Sequence, residues 1–228
     1  RVSDYLDEIV HPAVREAMKM LDMKEIRLSY EADLPAKTGL GTSSSFAVGM
    51  LLAFHTLKGQ YIDKEQLAKE AIYLERVLCD EKGGWQDQIA AAYGGFNRID
   101  FKDDKFTVKP MIIPVERKKD LNSNLFMVFT GFTRFSSDIQ KVNQKTSKND
   151  RIAVLDKMYS LVDEAEIILT DKEKNLDDFG RLLDVTWKLK TQTGKAVSTD
   201  SINYIYKQGI ESGALGGKLL GAGGGGFM

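Results

Sequence analysis

Three groups of residues in this chain have the types and spacing to do chemistry. The first is the run Gly39-Leu40-Gly41-Thr42-Ser43-Ser44-Ser45, two glycines followed by four hydroxyls. The glycines permit backbone angles that turn successive N–H groups toward one concave surface. A helix starting at the hydroxyls adds its own unpaired N–H groups and the positive end of its dipole. Together they suit a chain of phosphates. The plainer alternative is a tight turn and a Ser or Thr helix cap, yet four hydroxyls exceed what one cap needs. The second group is Glu75, a carboxylate beside an apolar stripe, costly to bury unless paired or bound to a cation. Its plainer alternative is a partly exposed bridge to Arg76 or Lys82. The third is Asp87, in Gly83-Gly84-Trp85-Gln86-Asp87-Gln88. Acidic residues are common in a first helical turn. A carboxylate there could also orient or accept the proton of a hydroxyl that attacks a γ-phosphate, a transfer needing positioning and charge neutralisation above all.

The elements that must hold these groups follow from periodicity. Ile26, Leu28 and Tyr30 alternate with polar residues and predict a strand, whereas Phe46, Ala47, Met50, Leu51 and Phe54 recur as in a helix reaching about Leu57. Asp63 caps a predicted helix from about Lys64 to Leu78, with Leu67, Ala71, Leu74 and Leu78 as its stripe. Pro12 opens an earlier helix, and His11 before it has no partner at metal-binding spacing. Strands are expected at 96–101, 106–108 and 125–130, with Asp103-Asp104 as a hairpin turn. The polar run 140–150 reads as mobile. From Arg151 onward three helices are marked by Ile152, Leu155 and Tyr159, by Leu176, Leu182 and Leu189, and by Ile202, Ile205 and Ile210.

Composition excludes several classes. The 228 residues are 43% hydrophobic with a net charge of −1, so nothing points to nucleic acid. No apolar run reaches the ~18 residues of a membrane span. The single cysteine, Cys79, cannot form an internal disulfide, which makes a reducing cytoplasm the expectation. Arg1 at the start and a glycine run at the end lead us to expect part of a longer protein. Nothing sets the oligomeric state, and a homodimer stays open.

The glycine loop is neither of the two best-known phosphate loops. A Walker loop needs Gly-Lys-Ser/Thr at its end, and here Gly41 is followed by Thr42 and Ser43. A dinucleotide fingerprint needs a third glycine at position 44 and a second parallel strand. Pro35-x-x-x-Gly39-Leu40-Gly41-Thr42-Ser43-Ser44 instead resembles the second signature of the GHMP kinases (galactokinase, homoserine, mevalonate and phosphomevalonate kinases). Glu75-Arg76 is similar to that family's magnesium-binding segment, Asp87-Gln88 to its catalytic-aspartate run, and Lys218-x-x-Gly221-Ala222-Gly223-x-Gly225-Gly226 to its third signature. Within the superfamily, Gly83–Gln88, Gly94-Gly95-Phe96-Asn97, Thr130-Gly131-x-x-Arg134-x-Ser136 and Gly213–Phe227 resemble the bacterial D-glycero-D-manno-heptose 7-phosphate kinases.

The resemblance implies an α+β fold in two lobes, roughly 1–130 and 131–228, with the N-terminal lobe incomplete. It implies ATP and Mg2+, with Gly39, Leu40, Gly41, Thr42, Ser43 and Ser44 on the nucleotide and Ser43 with Glu75 on the metal. Asp87 would be the catalytic residue, and Arg134, Gly223 and Gly224 would contact a sugar-phosphate acceptor. The reaction implied is phosphorylation of the anomeric hydroxyl of heptose 7-phosphate to the 1,7-bisphosphate. A kinase of a free sugar (the fucokinase or galactokinase type) and a non-catalytic sugar and ATP sensor are the alternatives. The family's first signature is missing, so this stretch by itself is expected to be inactive.

Overall fold

The computed structural model describes residues 4–33, 38–131, 148–194 and 196–228. The architecture is α+β. In chain order, a 3-10 turn (Leu6–Glu8) precedes α1 (Pro12–Met20), α2 (Thr42–Leu57), α3 (Lys64–Tyr73), a π turn (Leu74–Leu78) and α4 (Gln86–Tyr93). The hairpin β1 (Asn97–Lys102) and β2 (Lys105–Pro110) follows, then α5 (Val115–Ser123), α6 (Lys148–Thr170), α7 (Asp177–Gln192) and α8 (Asp200–Glu211). These fall into two compact units, Arg1–Ala36 with Gly41–Gly95, and Lys37–Leu40 with Phe96–Met228. No helix among the described residues is long and apolar enough to cross a membrane.

The first unit is helical, and its core comes from the predicted stripes. Ala47, Leu51 and Phe54 of α2 meet Leu67 and Ala71 of α3 and Leu74 of the π turn. Leu74 is fully buried, which contributes about 1.5–3 kcal/mol. The α3 start is as expected, with the Asp63 carboxylate accepting from the Gln66 N–H at 2.8 Å.

Two expectations in this unit are corrected. Ile26–Tyr30 alternates as a strand does but forms none. Ile26 packs on the core and the Tyr30 ring lies 4.5 Å from that of Phe46. Alternation becomes a strand only when the backbone finds a ladder partner, and none is present among the described residues. The helix expected to run to Leu78 changes at Leu74 into a π turn, where the Cys79 N–H bonds the Leu74 carbonyl at 2.9 Å. The wider turn lets two sequence neighbours, Leu74 and Glu75, both be buried. Single π turns of this kind are frequent at functional sites.

In the second unit β1 and β2 pair antiparallel, Asn97 opposite Pro110 and Lys102 opposite Lys105. Asp103 takes the positive φ of 55° that the turn requires. The strand expected at 125–130 is reduced to one bridge, Phe129 to Phe227, flanked by the paired Val128 and Met228. Its partner is the end of the chain rather than the hairpin, and it is too short to form a ladder. The region past Arg151 is helical as expected, with α6 starting three residues earlier. Arg134 and the polar run 140–147 lie outside the described residues.

Candidate active site

α2 begins at Gly41, which sits in the left-handed region at φ 69° and carries no capping side chain. The plain cap reading is thereby corrected: no hydroxyl of the run closes the helix end. Ser43 Oγ instead donates to Glu75 Oε1 at 2.6 Å, and Ser44 Oγ donates to Oε2 at 2.8 Å. Gln88, from α4, donates its amide N–H to the same Oε2.

Glu75 is 2% exposed, and no Lys or Arg pairs with it among the described residues. The two predicted bridging partners are engaged elsewhere. Arg76 holds the Gly84 carbonyl through Nε and Nη2 at 3.1 and 2.8 Å, and Lys82 pairs with Asp80. A buried carboxylate is thus satisfied by three neutral donors and no cation. Its two oxygens face different surroundings: Oε1 meets exposed Ser43, whereas Oε2 meets buried Ser44 and Gln88.

Asp87 lies one residue before Gln88, about 100° around α4, and faces the start of α2. A Cβ placed on Gly41 would stand 3.3 Å from Asp87 Cβ and Cγ, so the absent side chain leaves the carboxylate its place. Burial pushes the Asp87 carboxyl above the usual carboxylate range. The Arg76 charge pulls the other way, the Glu75 charge adds to the rise, and a hydrogen bond from Gln86 opposes it. The result is a carboxylate more basic than usual beside an uncapped helix N-terminus.

The donor set fits Mg2+. That ion takes oxygen ligands, with only one or two carboxylates from protein and the remainder from water and phosphates. Glu75 Oε1 with Ser43 Oγ supplies such a pair at the accessible edge of the cluster. No group of three or more His, Cys, Asp and Glu suited to a metal occurs among the described residues.

Gln88 was not singled out from sequence. It is fully buried, and its Oε1 has no hydrogen-bond partner among the described residues. The available signal was its place next to Ile89, on the face of α4 that enters the core.

The remaining predicted site residues belong to the second unit. Thr38, Gly39 and Leu40 lie against the C-terminal glycine segment. The Phe227 N–H reaches the Thr38 carbonyl at 3.3 Å, and a Cβ on Gly226 would stand 2.1 Å from that same oxygen. Gly223 and Gly224 are buried, and the Gly224 N–H donates to the Val197 carbonyl at 2.9 Å. This segment is a packed structure and not a loose tail.

Residues 7–95 match the GHMP kinases N terminal domain, the stretch that contains Ser43, Glu75 and Asp87. The chain belongs to the GHMP kinase superfamily. Among curated members, the D-glycero-alpha-D-manno-heptose 7-phosphate kinase of Campylobacter jejuni is 34% identical over 201 residues, 86% of this chain and 58% of the relative. The mevalonate kinase of Pyrococcus horikoshii is 30% identical over 234 residues, 100% of this chain and 64% of the relative. The chain thus spans about three fifths of the length of these GHMP kinases. The crystal structure of a D-glycero-D-manno-heptose 1-phosphate kinase from Bacteroides thetaiotaomicron superposes with a TM-score of 0.71 at 24% identity, over 95% of this chain and 60% of that one. At that identity the likeness establishes the fold.

Proposed function

We propose that the protein is an ATP-dependent kinase of a small hydroxylated acceptor, and that the acceptor is D-glycero-D-manno-heptose 7-phosphate, phosphorylated at its anomeric hydroxyl. The observation that carries the reading is the buried Glu75 carboxylate, held by Ser43, Ser44 and Gln88 without a cation, next to Asp87 at the uncapped start of α2.

The roles are assigned as follows. Gly39–Ser44 would carry the nucleotide phosphates on backbone N–H groups. Asp87, made more basic by burial, would accept or orient the proton of the attacking hydroxyl. Arg76 fixes the Gly84 carbonyl and so the loop that leads into α4. Mg2+ held by Glu75 and Ser43 would neutralise charge on the transferring phosphate. By the family resemblance, Arg134 is assigned to the phosphate that the acceptor already carries, and Gly223 and Gly224 to the acceptor. The heptose kinase of C. jejuni supports the choice of acceptor, as do the sequence runs around Asp87 and Arg134. The use of ATP suits a cytoplasmic protein.

The test is ADP release by the full-length protein with ATP and Mg2+ on a panel of heptose 7-phosphate, free heptose, fucose, galactose and mevalonate, repeated with Asp87→Asn. Turnover confined to heptose 7-phosphate and lost in the variant is the expected result. Turnover on mevalonate or a free sugar reassigns the acceptor. Bound ATP without turnover on any compound overturns the enzyme reading in favour of a sensor.

A further inference from the structure

The C-terminal glycine segment is a stretch of backbone with little of its own to hold one conformation. Gly221 and Gly223 through Gly226 all take positive φ, and a glycine run has many conformations of similar energy. Its two ends are fixed by the core of the second unit. Leu219 is fully buried with Trp187, Val197 and Ile202, and the Gly224 N–H donates to the Val197 carbonyl at 2.9 Å. Between these anchors the backbone is met by Lys190, in the last turn of α7. Its Nζ donates to the carbonyl oxygens of Leu219, at 3.4 Å, and Gly221. Lys188 of the same helix pairs with Asp184 in the ordinary way, whereas Lys190 is half-buried on backbone carbonyls. Burial lowers its basicity to about 8.

The peptide between the two gripped carbonyls is that of Leu220, and it lies against the first glycine of the phosphate loop. A Cβ on Gly39 would stand 3.1 Å from the Leu220 carbonyl oxygen, and a Cβ on Gly221 would stand 3.1 Å from the Gly39 Cα. The Leu220 N–H is held too, donating to the Phe227 carbonyl at 2.9 Å, and the Phe227 N–H reaches the Thr38 carbonyl at 3.3 Å. Gly39 takes a φ of 78°, so the backbone packed on it sets a conformation that no side chain of its own restricts. Lys190, the glycine segment and Lys37–Leu40 all belong to the same compact unit.

We propose that Lys190 is a positioning residue for the phosphate loop. By gripping the Leu219 and Gly221 carbonyls it sets the Leu220 peptide against Gly39, and through it the direction of the Gly39 and Leu40 N–H groups. It acts through the backbone and not as a ligand of the nucleotide. The phosphate role of Gly39 and Leu40 rests on the kinase reading; the grip on the backbone does not.

The experiment compares full-length wild type with Lys190→Met, Lys190→Gln and Lys190→Arg. Hydrogen exchange of the nucleotide-free proteins is read by mass spectrometry on peptides spanning Leu219–Met228. Calorimetry gives the Kd for ADP, and steady-state kinetics give KM for ATP and kcat. Near-UV circular dichroism checks each fold, and Lys190→Gln, uncharged and one bond shorter, supplies the same readings if the Met variant does not fold. The expected result is exchange about 10-fold faster in the Met variant, with the Kd for ADP and KM for ATP raised about 10-fold and kcat lowered less, because a loop no longer preorganised must be ordered by the nucleotide. Lys190→Arg, which keeps the charge and the donors, should return all three toward wild type. Weaker ADP binding with unchanged exchange makes Lys190 a direct ligand and overturns the proposal. Faster exchange with unchanged ADP binding makes the grip merely structural and overturns it as well. The two readings fail separately. A wild type that binds no ADP removes the kinase, and the grip is then decided by exchange alone; turnover with exchange indifferent to Lys190 keeps the kinase and removes the grip.

Discussion

Replacing Glu75 by alanine should destabilise the fold strongly and replacing it by glutamine should hardly do so, while both should abolish activity alike. In Glu75→Ala two buried donors, the Ser44 hydroxyl and the Gln88 amide, lose their acceptor. Each buried donor left unpaired costs about 1–3 kcal/mol, so the variant should be about 2–6 kcal/mol less stable before any cavity is counted. In Glu75→Gln the amide oxygen can take the Oε2 position and keep both donors. The new NH2 then faces the Ser43 hydroxyl, which is free to rotate and accept. The variant loses charge assistance in three hydrogen bonds but no longer buries a charge without a counter-ion. These effects oppose each other, and the net change should stay within about 1 kcal/mol. Urea unfolding without metal measures both. Stabilisation by Mg2+ with ADP, seen as a rise in Tm in wild type, should vanish in both variants. Turnover by the full-length protein should fall at least ~100-fold, since a lost metal contact removes several kcal/mol of charge stabilisation. If Glu75→Gln unfolds as readily as Glu75→Ala, the fold needs the charge itself, and the reasoning fails. If it keeps its response to Mg2+, Glu75 is not the ligand.

Three further outcomes are expected. The Asp87 carboxyl is raised by burial, so the folded chain binds more protons than the unfolded one between the ordinary value and the raised one, and stability falls as pH rises through that window. Asp87→Asn should remove this slope, make the fold more stable at pH 7 by up to about 1 kcal/mol, and abolish turnover; an unchanged or lower Tm refutes the assignment. Gly41→Ala adds a side chain at φ 69° and 3.3 Å from Asp87, which should cost about 1 kcal/mol or more in urea unfolding and lower kcat more than it raises KM for ATP. Lys190, at about 8 against an ordinary 10.5, leaves the unfolded chain with more bound protons between those values. The stability of the protein should therefore rise with pH across that window, and Lys190→Met should flatten the rise. A flat wild-type profile would refute the burial of that charge.

What could be read in advance depended on whether the signal was local. The hairpin was legible because alternation on both sides of Asp103-Asp104 and the turn chemistry lie within fourteen residues, Asn97–Pro110. The strand at 26–30 was not, because its alternation says nothing of a partner elsewhere in the chain. α5 was missed for the opposite reason: Val-Glu-Arg-Lys-Lys-Asp-Leu-Asn-Ser buries no residue and so carries no apolar stripe. The π turn was hidden by a pattern that fitted an ordinary helix equally well. Leu67, Ala71, Leu74 and Leu78 satisfy a 3.6 period, and only the backbone shows that the turn after Tyr73 is wider.

The contacts of Glu75 explain why the hydroxyl run looked excessive. A helix start needs one capping side chain, and α2 uses none. Ser44 is buried and spends its hydroxyl on the inner oxygen of Glu75, which with Gln88 fixes the carboxylate in place. Ser43 is exposed and spends its hydroxyl on the outer oxygen, the edge at which the proposed Mg2+ would enter while the inner bonds stay in place. Consecutive helical positions are separated by about 100°, so one serine can face the core while the next stays at the surface. Adjacent Asp87 and Gln88 divide α4 in the same way, one toward Gly41 and one toward Glu75. Sequence names both pairs by type; only the tertiary contact shows which member of each turns to the inner oxygen of Glu75.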